Sequence, residues 1–583
     1  MPRSGSSERS QRDGAILDRR SLLALAGATG AAGLMPATVR RVQAASMQSM
    51  SVDEPPAPPG VNLQTLIEGE KIARVSYTDA ELEQSLRSIN DILARYDIVR
   101  NADLQNGEGP AEVFDPRLPG MRFAEREQPA RFARPPSAPL PTEKEDIAFA
   151  SVAQLSAWIH ERAITSEELT RIYLDRLKQL GPKLECVVTL MEESAIADAQ
   201  RADRELRAGV DRGPLHGLPW GAKDLFDTAG VRTTWGAAPF RDRVPERDAT
   251  IVERLNDAGA VLIAKLTLGA LAYGDIWFDG KTRNPWNLEQ GSSGSSAGSA
   301  SAVAAGLCAF TIGTETYGSI MSPSARCGAA GFRPTFGRVS RHGAMALCWS
   351  LDKVGPICRS AEDCAYVLDA IAGPDLKDES TIDIPLNMDM TRGARGVTIG
   401  VLKDEFESDA ARPEDQATLA ALNDLGAELV PLNLQEDEYG GLIFFLISVE
   451  AAAAFDELIR FGGEEQMVWQ DDAAWPNTFR TIRFASAVEF MNARRLRRRW
   501  MRRAAGLFAD VDIVIAPSRH GAMHALTNMT GHPAVTIRQG FRENGTPFAV
   551  TMWGNLFDDS TLLSVASALE GELGVGSRRP PIS

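Results

Sequence analysis

None of the six cysteines is spaced C-x-x-C, which removes a zinc knuckle and a thioredoxin-like redox motif and leaves buried, ordinary thiols with no disulfide expected. Positive charge is in short supply. Against 78 acidic residues stand 62 lysines and arginines, a net of −16, and a surface of that sign disfavours nucleic acid and anionic lipid as partners. Long apolar runs are scarce too. The run Leu22–Met35 is too short, and too rich in glycine and alanine, to span a bilayer. With 583 residues, 44% hydrophobic and 24% charged, the chain can still bury a large core.

What the chain has in excess is small hydroxyls beside glycines. Gly291 to His342 carries two Ser/Gly clusters around the apolar run Val303 to Ile312. A flexible linker would leave that run in water, so the segment reads as a buried element. A phosphate-cradling loop fails because no Gly-Lys-Ser/Thr follows the cluster. What remains is backbone placement: glycines bring the main chain close to a reacting group and aim its N–H donors, and serines supply a nucleophile or a proton relay. A second motif is Pro214-Leu-His-Gly-Leu-Pro-Trp-Gly-Ala-Lys223-Asp224. Its lysine ends an apolar run that reads as a buried strand, and burial lowers a lysine pKa enough to make a general base near neutral pH.

These pieces resemble the amidase signature family. The pattern is matched in order by Ser293 to Ser299, Val303 to Gly306, Gly313 to Ile320 and Arg333 to Arg338, with the Lys223 motif upstream. The resemblance implies three catalytic residues. Ser319 takes the nucleophile position, Ser295 the relay position, which in the family follows a cis peptide bond, and Lys223 the base. Main-chain N–H groups around Thr316, Tyr317 and Gly318 would form the oxyanion hole. The implied reaction is hydrolysis of a small-molecule amide through an acyl-enzyme, with no metal or cofactor. Five departures stand out: Ser293, Ala297 and Tyr317 replace glycines, Arg333 replaces a lysine and Met321 an arginine. Tyr317 is the bulkiest of them and is expected to line or narrow the pocket, which leaves substrate choice open.

Two rivals come from the same residues. Gly294-Ser295-Ser296-Ala297-Gly298 satisfies the nucleophile-elbow pattern, which would make Ser296 the nucleophile of an esterase or other serine hydrolase, with His520, His524 or His532 as a partner. A non-catalytic amide- or peptide-binding member is the other. Retention of Lys223, Ser295 and Ser319 together speaks against it.

Around this centre the chain organises itself. Residues 1–45 hold seven arginines against three acids, and Arg19-Arg20 precedes the apolar run, a pattern that reads as a twin-arginine-type export signal. Its removal would leave a chain near −20, periplasmic or secreted, with no use for membrane or nucleic acid. An export destination also argues against a role in a transfer-RNA amidotransferase. Residues 46–145 form an N-terminal extension. It comprises a Pro-rich tether at Asp53–Gly60, a helix opened by the Thr78–Glu81 capping box with Leu82, Leu86, Ile89 and Leu93 as a stripe expected to pack on the main body, and an irregular strap holding eight prolines between 105 and 145. From 146 to 575 helices and strands interleave. Ser151–Gln154 and Thr165–Glu168 are further capping boxes, and Val261–Ala264, Thr398–Leu402 and Val511–Ala516 read as buried strands, which together predict an α/β fold. The family resemblance sharpens this to a central mixed sheet with helices on both faces.

Overall fold

The computed structural model describes residues 61–102, 104–133, 138–434, 441–518 and 521–582. The expected signal and the Pro-rich tether lie outside them. The chain divides at Asp103 into two compact units. The first holds helices Leu63–Ala73 and Asp79–Arg100, and the second of these begins at a reciprocal Thr78–Glu81 capping box. On the latter helix Leu82 is buried and Leu86, Ile89 and Leu93 are half-buried.

The second unit is built on one eleven-stranded sheet. In chain order its strands are β1 (Val187–Leu190), β2 (Pro219–Lys223), β3 (Val261–Leu266), β4 (Phe310–Glu315), β5 (Ala330–Arg333) and β6 (Lys353–Cys358), followed by β7 (Thr398–Leu402), β8 (Glu428–Leu432), β9 (Ile513–Pro517), β10 (Ala534–Phe541) and β11 (Pro547–Gly554). Their spatial order is β1-β3-β2-β4-β6-β5-β10-β11-β9-β7-β8. Parallel pairs β3–β2–β4 lie near one end and β9–β7–β8 at the other, with antiparallel pairs between. Every residue of β2, β3, β4, β6, β9 and β11 is buried, which requires cover on both faces of the sheet. The fold is α/β with a mixed sheet, and the three strands read from sequence are β3, β7 and β9.

One local expectation came out differently in detail. Thr165 and Glu168 cap each other, whereas at Ser151 only half of the box forms. Ser151 accepts from the Gln154 N–H, but the buried Gln154 side-chain nitrogen has no partner, and the adjacent Val152 N–H is taken instead by the Asp363 carboxylate at 2.8 Å. The described residues between Leu104 and Glu143 contain neither helix nor strand. They are tied to the rest of the second unit by side chains and by a few main-chain bonds. Asn106 trades both its amide groups with Ala346 (2.9 and 2.8 Å), and Arg131 bonds the Met388 carbonyl at 2.8 Å.

Candidate active site

Strand β2 delivers Lys223 at its end, in the parallel trio where all neighbours are buried. Strand β4 runs beside it and stops at Glu315, where a turn through Ser319 leads into helix Met321–Cys327. Helix Ala297–Ala304 packs against β4, and the Ser292–Ser296 segment that opens it lies over Lys223. This crowding is why glycines are needed. A Cβ on Gly294 would lie 1.8 Å from the Gly274 carbonyl oxygen, and one on Gly313 would lie 2.7 Å from the Ser296 hydroxyl. The Gly294–Ser295 peptide is cis.

Among the described residues, Lys223 Nζ reaches only oxygens that carry no charge. It donates to Ser295 Oγ at 2.9 Å, Ser296 Oγ at 3.1 Å, Thr314 Oγ1 at 2.8 Å and the Thr314 carbonyl at 3.5 Å. Full burial drives its pKa down to about 7, and the more distant Asp352 and Glu315 charges oppose that only in part. Near pH 7 a large fraction of this amine is therefore neutral.

The turn that carries Ser319 is held by main-chain anchors. The Ser296 N–H donates to the Ser319 carbonyl at 3.1 Å, and the Glu315 carboxylate accepts from the N–H groups of Ile320 (2.9 Å) and Met321 (3.0 Å). Burial works against the Glu315 charge, but Arg333 at 2.6 Å, with His524, Lys353 and the Met321 N–H, holds its pKa down to about 2. Thr316 Oγ1 donates to Asp352 at 2.6 Å, and Asp352 in turn accepts from the N–H groups of Leu347 and Cys348. Among the described residues, the N–H groups of Tyr317, Gly318 and Ser319 meet no acceptor, so this turn carries unsatisfied main-chain donors.

Ser319 lines a cavity of about 550 Å³ whose other walls include Tyr273, Tyr317, Phe444 and Trp475 together with Asp275, Lys281 and Arg326. Tyr317 meets Phe444 edge-on at 5.3 Å, so its ring forms part of the wall as expected. Ser295 and Lys223 sit beneath, buried. The structure thus joins Lys223 to Ser295 directly and presents Ser319 to the cavity, while the Ser319 hydroxyl has no hydrogen-bond partner among the described residues.

The elbow residues are arranged otherwise. Ser296 is fully buried, donates to the Thr314 carbonyl (3.1 Å) and accepts from the Thr314 N–H (3.2 Å). No histidine contacts it among the described residues. His532 is engaged by Thr530 and stacked on Phe508, and burial pushes its pKa down to about 3; His520 lies outside the described residues. Sequence reasoning passed over Thr314, Glu315, Asp352 and the pairing of Arg333. Period-two alternation along β4 could have found the first two, because it sends Thr314 and Glu315 to opposite faces beside the serine cluster. The six cysteines are buried and free.

A family model described as Amidase matches residues 168–563, more than half of the chain. The chain belongs to the amidase family. Among relatives of this amidase, a glutamyl-tRNA(Gln) amidotransferase component of Synechococcus sp. (strain CC9605) is 34% identical over 481 residues, which cover 73% of this chain and 97% of the relative. A solved peptide amidase of Stenotrophomonas maltophilia superposes with a TM-score of 0.67 at 30% identity, over 74% of this chain and 98% of that one. A bacterial aryl acylamidase shares the fold, with a TM-score of 0.66 at 22% identity, over 75% of this chain and 100% of that one. The protein is an amidase, an enzyme that hydrolyses the C–N bond of a carboxylic amide.

Proposed function

We propose that this amidase works through Ser319 as nucleophile, Ser295 as proton relay and Lys223 as base. The observation that carries the reading is the buried Lys223 amine, 2.9 Å from the Ser295 hydroxyl with no carboxylate of the described residues in hydrogen-bond range. Neutral Lys223 takes the Ser295 proton as Ser295 takes that of Ser319, and Ser319 Oγ bonds to the amide carbon. The carbonyl oxygen becomes an oxyanion, supported by the free N–H groups of Tyr317 and Gly318, with Thr316 beside them. As the C–N bond breaks, the proton held on Lys223 returns through Ser295 to the leaving nitrogen. Water enters by the same relay, cleaves the acyl-enzyme and restores Ser319.

The aromatic wall of Tyr273, Tyr317, Phe444 and Trp475 supports a substrate that carries an apolar or aromatic group beside the scissile amide. Export by a twin-arginine-type signal, and hence a small-molecule amide met outside the cytoplasm, is part of the same proposal. It rests on Arg19-Arg20 ahead of Leu22–Met35.

Fluorophosphonate labelling followed by mapping of the modified peptide tests the assignment. The adduct is expected on Ser319. An adduct on Ser296 with an essential histidine would overturn the triad in favour of the elbow.

A further inference from the structure

The whole-chain charge conceals one strongly cationic element. Helix Ala487–Leu507 carries seven arginines and one acid, Glu489, in a protein whose net charge is −16. Its buried side is structural: Arg497 donates to the Met529 carbonyl at 2.6 Å and the Ser350 carbonyl at 2.8 Å, beside buried Trp500 and Ala504. The opposite side is another matter. Spacing of 3.6 residues per turn puts Arg495, Arg498, Arg499 and Arg502 on one exposed face, and the same face begins with Val488 and Met491. Val488 is 66% exposed and Met491 51%, and Phe484, just before the helix, is 68% exposed.

No salt bridge reaches these four arginines among the described residues. Arg495 donates to Asn492, and Asp115, whose field touches Arg498, is already paired with Arg117. A surface charge acts over about one Debye length, roughly 8–10 Å at moderate salt, so this row is felt locally whatever the total. Guanidinium groups bind phosphate in a forked geometry, while solvent-exposed Phe, Val and Met side chains gain only where hydrocarbon is at hand. A layer of anionic phospholipid headgroups over acyl chains offers both at once; nucleic acid or free phosphate offers only the first. The helix, 21 residues long, would span about 31 Å in the plane of such a surface.

We propose that the exposed face of helix Ala487–Leu507, with Phe484, docks this amidase on an anionic lipid surface. The helix lies on the surface, with its arginines at the headgroup phosphates and Phe484, Val488 and Met491 in the headgroup–acyl boundary. It does not cross, since no described helix is long and apolar enough to do so. The reading is independent of the catalytic assignment.

Flotation of the full chain with vesicles of phosphatidylcholine containing about one third phosphatidylglycerol, and with phosphatidylcholine alone, tests it. Binding to the anionic vesicles at low salt is expected, falling as salt is raised and absent with the neutral ones. Each arginine is worth roughly fivefold in partitioning, so the combined Arg495→Gln, Arg498→Gln, Arg499→Gln, Arg502→Gln variant should lose about a hundredfold or more. Phe484→Ser with Val488→Ser and Met491→Ser should weaken binding about tenfold or more while the salt dependence stays. All seven positions are exposed, and a normal melting curve and amide hydrolysis certify the fold. Absence of binding at low salt, or undiminished binding of the arginine variant, overturns the proposal; the latter would assign the contact to another segment. Capture of a single-stranded oligonucleotide with the vesicles left unbound overturns it as well.

Discussion

Two buried lysines stand on neighbouring strands in different surroundings. Lys223 ends β2 and Lys265 is the penultimate residue of β3, and both are fully buried. Lys265 has a carboxylate: Asp224 Oδ1 lies 3.3 Å away, with the Phe226 carbonyl at 2.8 Å and Thr233 Oγ1 at 2.6 Å completing its shell. Burial draws its pKa down, and the Asp224 charge opposes. Lys223 has hydroxyls and a carbonyl instead. Burial alone therefore does not set what a lysine amine can do. What separates the two is whether a carboxylate stands close enough to keep the ammonium form, and beside Lys223 none does.

The comparison can be broken at its reactive end first. Ser319→Ala should abolish amide hydrolysis and fluorophosphonate labelling together, leaving the melting temperature close to normal. Retained labelling would move the nucleophile elsewhere.

Next comes the base. Lys223→Met keeps length and removes the amine, and acylation should fall by roughly 10²–10⁴. In the unaltered enzyme the acylation rate should rise with pH through an ionisation near the value of about 7 set by burial, and the Met variant should lack that limb. The same shift has a sign for stability. Between pH 7 and the unfolded lysine value of about 10.4 the unfolded chain binds the extra proton, so stability rises with pH across that window. Any stability advantage of the Met variant should therefore shrink from pH 7 toward 10, as read by denaturant midpoints. An unchanged pH–rate limb in Lys223→Met would make the lysine structural.

Lys265→Met sharpens the contrast. It strands Asp224 in the interior, so a loss of about 3–5 kcal/mol in unfolding free energy is expected, with the pH limb of the folded fraction unmoved. If the limb moves as it does in Lys223→Met, the two lysines are not distinct. Ser296→Ala should have the smallest effect. One donor–acceptor position beside Lys223 is lost, hydrolysis falls by about tenfold or less, and labelling persists. Abolished labelling would revive the elbow.

Much of the candidate site was legible because its residues sit in contiguous motifs. Gly313 to Ile320 holds the turn, Ser293 to Ser299 the segment over Lys223, and the Lys223 motif ends an apolar run that reads as a buried strand. The departures were legible as departures but not as chemistry. Arg333 stood out where the family has lysine, yet its consequence depends on Glu315, eighteen positions earlier. Only strand pairing through β6 brings the two within 2.6 Å. Asp352 lies far from Thr316 in the chain, and their link crosses from one strand end to another. The half-formed cap at Ser151 escaped for the same reason, because its substitute partner, Asp363, comes from a helix far along the chain.

By itself the sequence determined the α/β class, the central strands and, through its local motifs, the family; the grouping of Ser295, Ser319 and Lys223 came only with the family resemblance. The tertiary structure decided which hydroxyl is buried and which faces the cavity, and which lysine has a carboxylate. It also decided which face of the arginine-rich helix is left to solvent. Those outcomes turn on distances between residues remote in the chain, and hydrogen bonding and desolvation change steeply over a few ångströms.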